Sequence, residues 1–315
     1  MSERTEVTFE GRRLSVSNLD KVLYPADGFT KGDLIDYYAR IAPVMVPHLD
    51  GRGVTLHRFP DGVEAGSFFE KRCPSHRPDW VPVVPGPGEG AEDGIDYCMF
   101  ADAPSLVWAA NLAAIELHAP LHLAGDAAHP TAMVFDLDPG PGTDLTDCAR
   151  VALGVAERLG EDGLRGVVKT SGSKGLQLYV PLNGEPRAGP KQARPTYEHT
   201  RAYALTLAAA LEDEHPDRVV TTMAKAARTQ KVFIDWSQNH QHKTTVAVYS
   251  LRGRERPTAS TPLTWDEVEE AAQGTRWSFT ASEVLERVDE HGDLFDAVAT
   301  ERQALPEVDR SILDR

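Results

Sequence analysis

The chain is 315 residues long, 41% hydrophobic, and carries a formal net charge of −15. That length and apolar content suffice for one large domain or two intimate ones and exclude a disordered tail. No run of 18 apolar residues occurs and the start, Met1-Ser2-Glu3-Arg4, holds no apolar segment, so neither membrane insertion nor export is expected and the compartment is read as cytoplasmic.

The charge is unevenly placed. Residues 265–315 hold fourteen Asp or Glu against five Arg, a balance of −9 that leaves −6 for residues 1–264. Residues 221–256 hold seven Lys or Arg against two acids. A local basic surface is therefore available, and the net charge does not exclude a polyanionic partner, whose affinity depends on clustered Lys and Arg. Cys73, Cys98 and Cys148 form an odd set without a Cys-x-x-Cys pair. They read as free thiols rather than a disulfide framework, and Cys73 with His76 has the spacing of only half a zinc site.

In chain order, residues 54–59 read as a strand and the Pro/Gly-rich residues 81–93 as a surface loop. Residues 106–117 are mainly apolar, and periodicity leaves open whether they form a helix or a passage between strand and helix. A strand over 132–138 is followed by the turn Pro139-Gly140-Pro141-Gly142 and by a helix from about 143 to 159. Thr143 or Asp144 can cap that helix, and Leu145, Cys148, Ala152, Val155 and Leu159 recur at helical spacing. Residues 166–170 and 176–180 flank Ser171-Gly172-Ser173-Lys174-Gly175 as a hairpin. A helix over 197–212 follows a polar loop; 231–236 and 245–250 read as strands, and two acidic helices are expected near 265–272 and 282–288.

Three segments carry chemistry. In Met133-Val134-Phe135-Asp136-Leu137-Asp138, residues two apart on a strand share a face, so Asp136 and Asp138 project together while Phe135 and Leu137 turn inward. Adjacent carboxylates repel, and each has a raised pKa and a large desolvation penalty unless a cation neutralises the pair. Oxygen ligands favour Mg²⁺ or Mn²⁺. Taken alone, the same Asp residues also suit a strand end that caps the next helix. A haloacid-dehalogenase type phosphatase likewise opens with a strand ending in Asp-x-Asp, but Gly140 stands where that family has Thr or Val.

The second segment is Thr170-Ser171-Gly172-Ser173-Lys174-Gly175-Leu176. Its glycines let backbone N–H groups face an anion, Lys174 adds a charge, and Ser171 and Ser173 add hydroxyl donors. It lacks the Walker A spacing, and as an isolated hairpin turn it need bind nothing. The third is Val232-Phe233-Ile234-Asp235-Trp236, an apolar strand ending in an acid, followed by Gln238, Asn239 and the cations Arg252 and Arg254.

Together these segments resemble the three signature motifs of the primase-polymerase superfamily, most closely those of the polymerase domain of bacterial DNA ligase D. The motifs are Phe135-Asp136-Leu137-Asp138-Pro139-Gly140, TSGSKGLQLYVP at residues 170–181, and Phe233-Ile234-Asp235-Trp236 with Asn239. The resemblance covers roughly residues 14–265. It implies an α+β fold, a primase-polymerase catalytic core with mixed or antiparallel β-sheets flanked by helices, and a single domain over 1–315. Within it, residues 1–130 would carry DNA-end and template contacts, 131–265 the catalytic motifs, and 266–315 an acidic helical C-terminus.

The resemblance also implies roles. Asp136, Asp138 and Asp235 would hold two Mn²⁺ or Mg²⁺ ions for attack of a primer 3′-hydroxyl on the α-phosphorus of a nucleoside triphosphate. His118, Ser171, Lys174, Gln177, Gln238, Arg252 and Arg254 would contact the nucleotide. Asn18, Lys21 and Lys31 would grip a 5′-phosphate at a DNA gap or broken end, which their donors and charges suit. Phe68 and Phe69 with Lys71 would stack on template bases, although buried core phenylalanines would give the same sequence.

Gln177 stands where the family usually has His, so a proton donor is replaced by a neutral amide. The implied work is filling gaps and extending ends in bacterial non-homologous end joining, with gapped or broken duplex DNA, ribo- or deoxyribonucleoside triphosphates, and Ku and a DNA ligase as partners, in a nucleoid-associated place. The alternatives are a primase that starts chains de novo and a DNA-end bridging protein with weak catalysis.

Overall fold

The computed structural model describes residues 4–86, 94–182 and 194–314. Part of the Pro/Gly-rich loop expected at 81–93, and most of the polar loop ahead of residue 197, lie outside the described residues.

In chain order the described residues form strands β1 (Arg4–Phe9), β2 (Arg12–Ser17), β3 (Val22–Tyr24) and β4 (Phe29–Thr30), then helix α1 (Lys31–Leu49). Strands β5 (Thr55–Arg58), β6 (Phe68–Glu70), β7 (Val83–Pro85) and β8 (Asp96–Cys98) lead to α2 (Ala103–Asn111) and β9 (Ala114–Ala119). Next come β10 (Ala132–Pro139), α3 (Leu145–Glu161), β11 (Val167–Thr170), β12 (Leu176–Pro181) and α4 (Tyr197–Glu214). The remainder is β13 (Val219–Val220), β14 (Val232–Asp235), β15 (Thr245–Val246), β16 (Pro262–Leu263), α5 (Trp265–Ala272), α6 (Ala281–His291) and the short α7 (Ala297–Thr300). This is the expected α+β class.

The chain divides into two compact units. The first takes Met1–Pro120, Thr244–Ser260 and Phe279–Asp293, and the second takes Leu121–Lys243, Thr261–Ser278 and Leu294–Arg315. In the first, a four-stranded sheet runs in the order β15-β9-β5-β6, entirely antiparallel. Helix α1 buries Leu34, Tyr37, Tyr38, Ile41, Met45 and Leu49 at helical spacing. A capping box starts it: the Thr30 hydroxyl accepts from the Asp33 N–H and the Asp33 carboxylate accepts from the Thr30 N–H. Sequence reading misses this helix because Pro43 and Pro47 lie inside it.

The second unit is built on a six-stranded sheet in the order β13-β14-β10-β12-β11-β16. All its pairings are antiparallel except β13 with β14. The apolar residues of β10 and β12 are almost fully buried, as a central pair with covered faces requires. Asp144 caps α3, with Cys148, Ala152, Val155 and Leu159 on its buried side, as the spacing predicts.

Three expectations are corrected. Residues 83–85, inside the stretch expected as a surface loop, form β7, and Val81 beside them is buried. Cys73 and Cys98 form a disulfide within the first unit, so they are not free thiols and Cys73 is not half a zinc site. A backbone contact outside the strand ladders brings them together: the Cys73 N–H donates to the Asp96 carbonyl, two residues from Cys98, a neighbourhood that sequence spacing does not reveal. Cys148 alone is free, and buried. The strand expected over 245–250 stops at Val246, because the backbone turns away and Tyr249 adopts φ of +64°. The undecided stretch 106–117 holds both the end of α2 and the start of β9. Among the described residues no helix is long and apolar enough to cross a membrane.

Candidate active site

Strand register assembles the acids of the second unit. On β10, Asp136 lies directly opposite Asp235 of β14 on one side and opposite Gln177 of β12 on the other. Gln177 in turn lies opposite Lys169 of β11. Directly opposed residues share a face, so Asp235, Asp136, Gln177 and Lys169 form one row across four strands, with Asp138 on the same face two residues from Asp136. All three acids expected at this place are therefore together.

The row is polar and closely linked. Lys169, 1% exposed, donates from Nζ to Gln177 Oε1 at 2.6 Å and also sits 5.5 Å from the Tyr179 ring centroid. The Gln177 side chain donates to Asp136. Burial pushes the Asp136 carboxyl up to about 7; Asp138 and Asp235 add to the rise, against the Gln177 hydrogen bond and the Lys169 charge. Three carboxylates with no softer ligand among them fit hard divalent cations such as Mg²⁺ or Mn²⁺, and such charge relieves the crowding around Asp136.

Asp235 ends its strand by capping a short 3₁₀ turn, Trp236–Gln238. It accepts from the Ser237 N–H at 3.0 Å and hydroxyl at 2.5 Å, and from Gln238 Nε2 at 3.3 Å. Lys243 Nζ donates to Ser237 Oγ at 2.6 Å. Asn239, fully buried, accepts from the Val134 N–H and donates to the Val134 and Trp236 carbonyls, which ties this turn to β10. Gln238 thus sits beside Asp235, and the third motif fastens this turn to β10.

The hairpin turn at 171–175 is closed by Ser171, whose hydroxyl accepts from the Ser173 and Gly175 N–H groups. Lys174 points to solvent. A Cβ on Gly175 would collide with the Leu137 carbonyl oxygen, and one on Gly140 with the Arg228 carbonyl oxygen. Glycine is required at both because backbone passes directly over them.

The first unit holds a second cluster, also made by register. On β5, His57 lies opposite Glu116 of β9 and opposite Phe69 of β6, and His118 follows Glu116 by two residues. Glu116 Oε2 lies 2.8 Å from His118 Nε2 and 3.2 Å from His57 Nδ1. Its Oε1 accepts from Arg252 Nε at 3.2 Å and from the Gly253 N–H at 2.9 Å. Burial would raise the Glu116 pKa, but His118, His57 and Arg252 outweigh it and hold the carboxyl far below the usual range. Burial lowers the His118 imidazole below its ordinary value, against the pull of Glu116. The ligand atoms of His57, Glu116 and His118 all lie within 4.8 Å of one another, a set that can hold a metal ion.

Buried tyrosines fix the loop that presents Arg252. Tyr24 donates to the Arg252 carbonyl at 2.8 Å and Tyr37 to the Tyr249 carbonyl at 2.6 Å. Arg252 is thereby half-buried and oriented, whereas Arg254 is exposed.

Asn18, Lys21 and Lys31 lie around the start of α1. The Lys21 N–H donates to the Asn18 carbonyl and the Lys31 N–H to the Lys21 carbonyl. Lys21 Nζ pairs with Asp61 at 2.7 Å, and Lys31 Nζ donates to the Ser17 carbonyl at 2.7 Å. Burial, with Lys21 and Arg58 nearby, brings the Lys31 amine down to about 8. On β6, Phe68 is 46% and Phe69 59% exposed, so neither is a core residue. Phe69 stacks on His57 with centroids 3.9 Å apart and Arg58 lies over Phe68, while Lys71 is exposed.

Lys169, Glu116 and His57 are absent from the sequence-derived set. A charged residue inside an apolar strand is the signal that marks Lys169 and Glu116, while His57 gains meaning only from its strand partner.

A family model described as the primase-polymerase domain of LigD matches residues 30–295. The multifunctional non-homologous end joining protein LigD of Mycolicibacterium smegmatis is 43% identical over 284 residues, 90% of this chain and 35% of that protein. The bifunctional non-homologous end joining protein LigD of Bacillus subtilis is 31% identical over 281 residues, 89% of this chain and 43% of that protein. The chain thus spans well under half the length of these curated relatives. A solved structure, the polymerase domain from Mycobacterium tuberculosis ligase D in complex with DNA, matches with a TM-score of 0.83 and 37% identity over 92% of this chain and 99% of that one. On a match that takes in most of its residues, the chain belongs to the LigD primase-polymerase domain family.

Proposed function

We propose that the chain is a DNA-dependent nucleotidyltransferase that fills gaps and extends ends during bacterial non-homologous end joining, acting as one primase-polymerase domain over residues 1–315. The observation that carries this reading is the register that sets Asp235 opposite Asp136 with Asp138 on the same face. Family membership and the likeness to a polymerase domain in complex with DNA support it.

In this reading Asp136, Asp138 and Asp235 would hold two divalent cations, Mn²⁺ or Mg²⁺, which would supply the positive charge needed at a primer 3′-hydroxyl and at the departing pyrophosphate. Gln177 takes a hydrogen bond from Lys169 and orients Asp136, so it acts on the nucleotide through a proposed metal ligand. Ser171, Lys174 and Gln238 bind the triphosphate and offset its charge, and the family resemblance assigns nucleotide contacts to His118, Arg252 and Arg254 as well. Asn18, Lys21 and Lys31 bind the 5′-phosphate, and Phe68, Phe69 and Lys71 take the template. Ku and a DNA ligase are the proposed partners, in the cytoplasm at the nucleoid.

The test is extension of a gapped, 5′-phosphorylated duplex with Mn²⁺ or Mg²⁺ and with ribo- or deoxyribonucleotides, beside an Asp136→Ala variant. Extension by the wild type alone is the expected result. Binding of the duplex without metal-dependent extension would favour a bridging protein, and synthesis on unprimed single strands would favour a primase.

A further inference from the structure

One face of the four-stranded sheet carries polar atoms that do not satisfy one another. His57 Nδ1 is buried and makes no hydrogen bond, although it lies 3.2 Å from Glu116 Oε2. Two residues away on the same face of β5, Thr55 is 3% exposed and its hydroxyl is also buried without a partner. Thr55 lies directly opposite His118. An unpaired buried polar atom costs about 1–3 kcal/mol. Two of them flanking a carboxylate and a second imidazole point to a ligand that they share.

We propose that His57, Glu116 and His118 form a binding site for a divalent transition metal of the zinc class. The ligands would be His57 Nδ1, Glu116 Oε2 and His118 Nε2. Two imidazole nitrogens with one carboxylate oxygen is a donor set that suits zinc and its neighbours and not Mg²⁺. It leaves a fourth position open. Ligands about 2.1 Å from one ion stand at most about 4.2 Å apart. In a tetrahedral set they stand about 3.4 Å apart; the three atoms are already within 4.8 Å, so loading closes the widest pair by at most about 1.4 Å.

The surroundings are those of a held ligand set. His57 Nε2 lies 2.9 Å from Ser67 Oγ, which fixes the ring and leaves Nδ1 facing the carboxylate. Arg252 and the Gly253 N–H take Glu116 Oε1, which leaves Oε2 for an ion. Such outer partners orient metal ligands and tune their strength. Phe69 covers the set, stacked on His57 and edge-on to His118. The site rests on these side chains of the first unit; it shares His118 and Arg252 with the proposed nucleotide contacts, and metal uptake tests it apart from the polymerase reading.

The test is Zn²⁺ uptake by the full chain in equilibrium dialysis with elemental analysis, together with the absorption of the Co²⁺-loaded protein. The expected result is one equivalent of Zn²⁺ retained by the wild type and by Asp136→Asn, loss of that equivalent in His57→Ala, and about tenfold weaker binding in Ser67→Ala. Co²⁺ should give the intense visible bands of a four-coordinate site, displaced by Zn²⁺ and untouched by Mg²⁺. Equal uptake by His57→Ala and the wild type would overturn the proposal, as would uptake lost in Asp136→Asn and kept in His57→Ala. If His57→Ala does not fold, the Co²⁺ spectrum of the wild type decides: weak six-coordinate bands, or none, overturn it.

Discussion

Each of the two larger sheets places a carboxylate in a row of directly opposed residues, and the two carboxylates behave in opposite ways. Asp136 in the second unit faces Asp235 and stands two residues from Asp138, and burial with these like charges raises its pKa to about 7. Glu116 in the first unit faces His57 and stands two residues from His118, with Arg252 on its other oxygen, and it stays ionised. Burial alone penalises both. The neighbours that strand register supplies decide the sign, so the acid row calls for a hard divalent cation and the imidazole row for a softer one.

The largest expected effect tests the acid row. Asp136→Ala should lower primer extension by at least about 10³-fold while gel-shift affinity for gapped DNA changes little. Comparable losses of binding and extension would mean that Asp136 serves the fold and not metal chemistry, and the contrast between the rows would lose its functional meaning.

Gln177→Leu sharpens the contrast from within. It removes the acceptor of Lys169 and the donor to Asp136, and should cost about 3 kcal/mol in urea unfolding, since a buried charge loses a partner. Gln177→His, the usual family residue, should be milder because it retains a hydrogen-bonding group. A Leu variant as stable as the wild type would show that the row is not a connected unit.

On the other sheet, Phe69→Ala should weaken binding to a template overhang by about 1–3 kcal/mol. Its ring is 59% exposed, so thermal stability should move by only about 0.5 kcal/mol. A large fall in stability with unchanged DNA affinity would return Phe69 to a packing role.

The smallest effect is one of pH. Between about pH 4, the ordinary Asp value, and about pH 7, folded Asp136 keeps a proton that the unfolded chain has lost. Its contribution to stability therefore falls as pH rises through that window and levels off above it. Urea melts with chelator present should show a decline of about 1–2 kcal/mol attributable to this group, after screening at a partly exposed site. Asp136→Asn should flatten the decline, and Mg²⁺ should reverse it; an identical slope in the variant would assign the effect elsewhere.

Much of the acid row is legible in the residues themselves. Asp136 and Asp138 share a face by the two-residue period of a strand, and Pro139-Gly140 followed by Asp144 marks the turn and the capped helix. The Ser171–Gly175 turn declares its hairpin through its glycines. The imidazole row is illegible by the same rules, since His57 and Glu116 are ordinary residues until β5 and β9 pair. Phe68 and Phe69 could equally have been core, and only their exposure decides. The two internal prolines hide α1, and the disulfide joins cysteines that spacing alone would leave apart.

The sequence by itself determined the local pieces around the acid row: the strands near 132–138, 166–170, 176–180 and 231–236, where the hairpin turn falls, and which acids end a strand. Those features depend on neighbours a few residues away, through side-chain period, caps and turn chemistry. The tertiary structure alone decided that Asp235 faces Asp136, that Lys169 reaches Asp136 through Gln177, and that His57 meets Glu116. These depend on which distant strands pair and in what register, and a slip of one residue would turn each of these side chains to the opposite face.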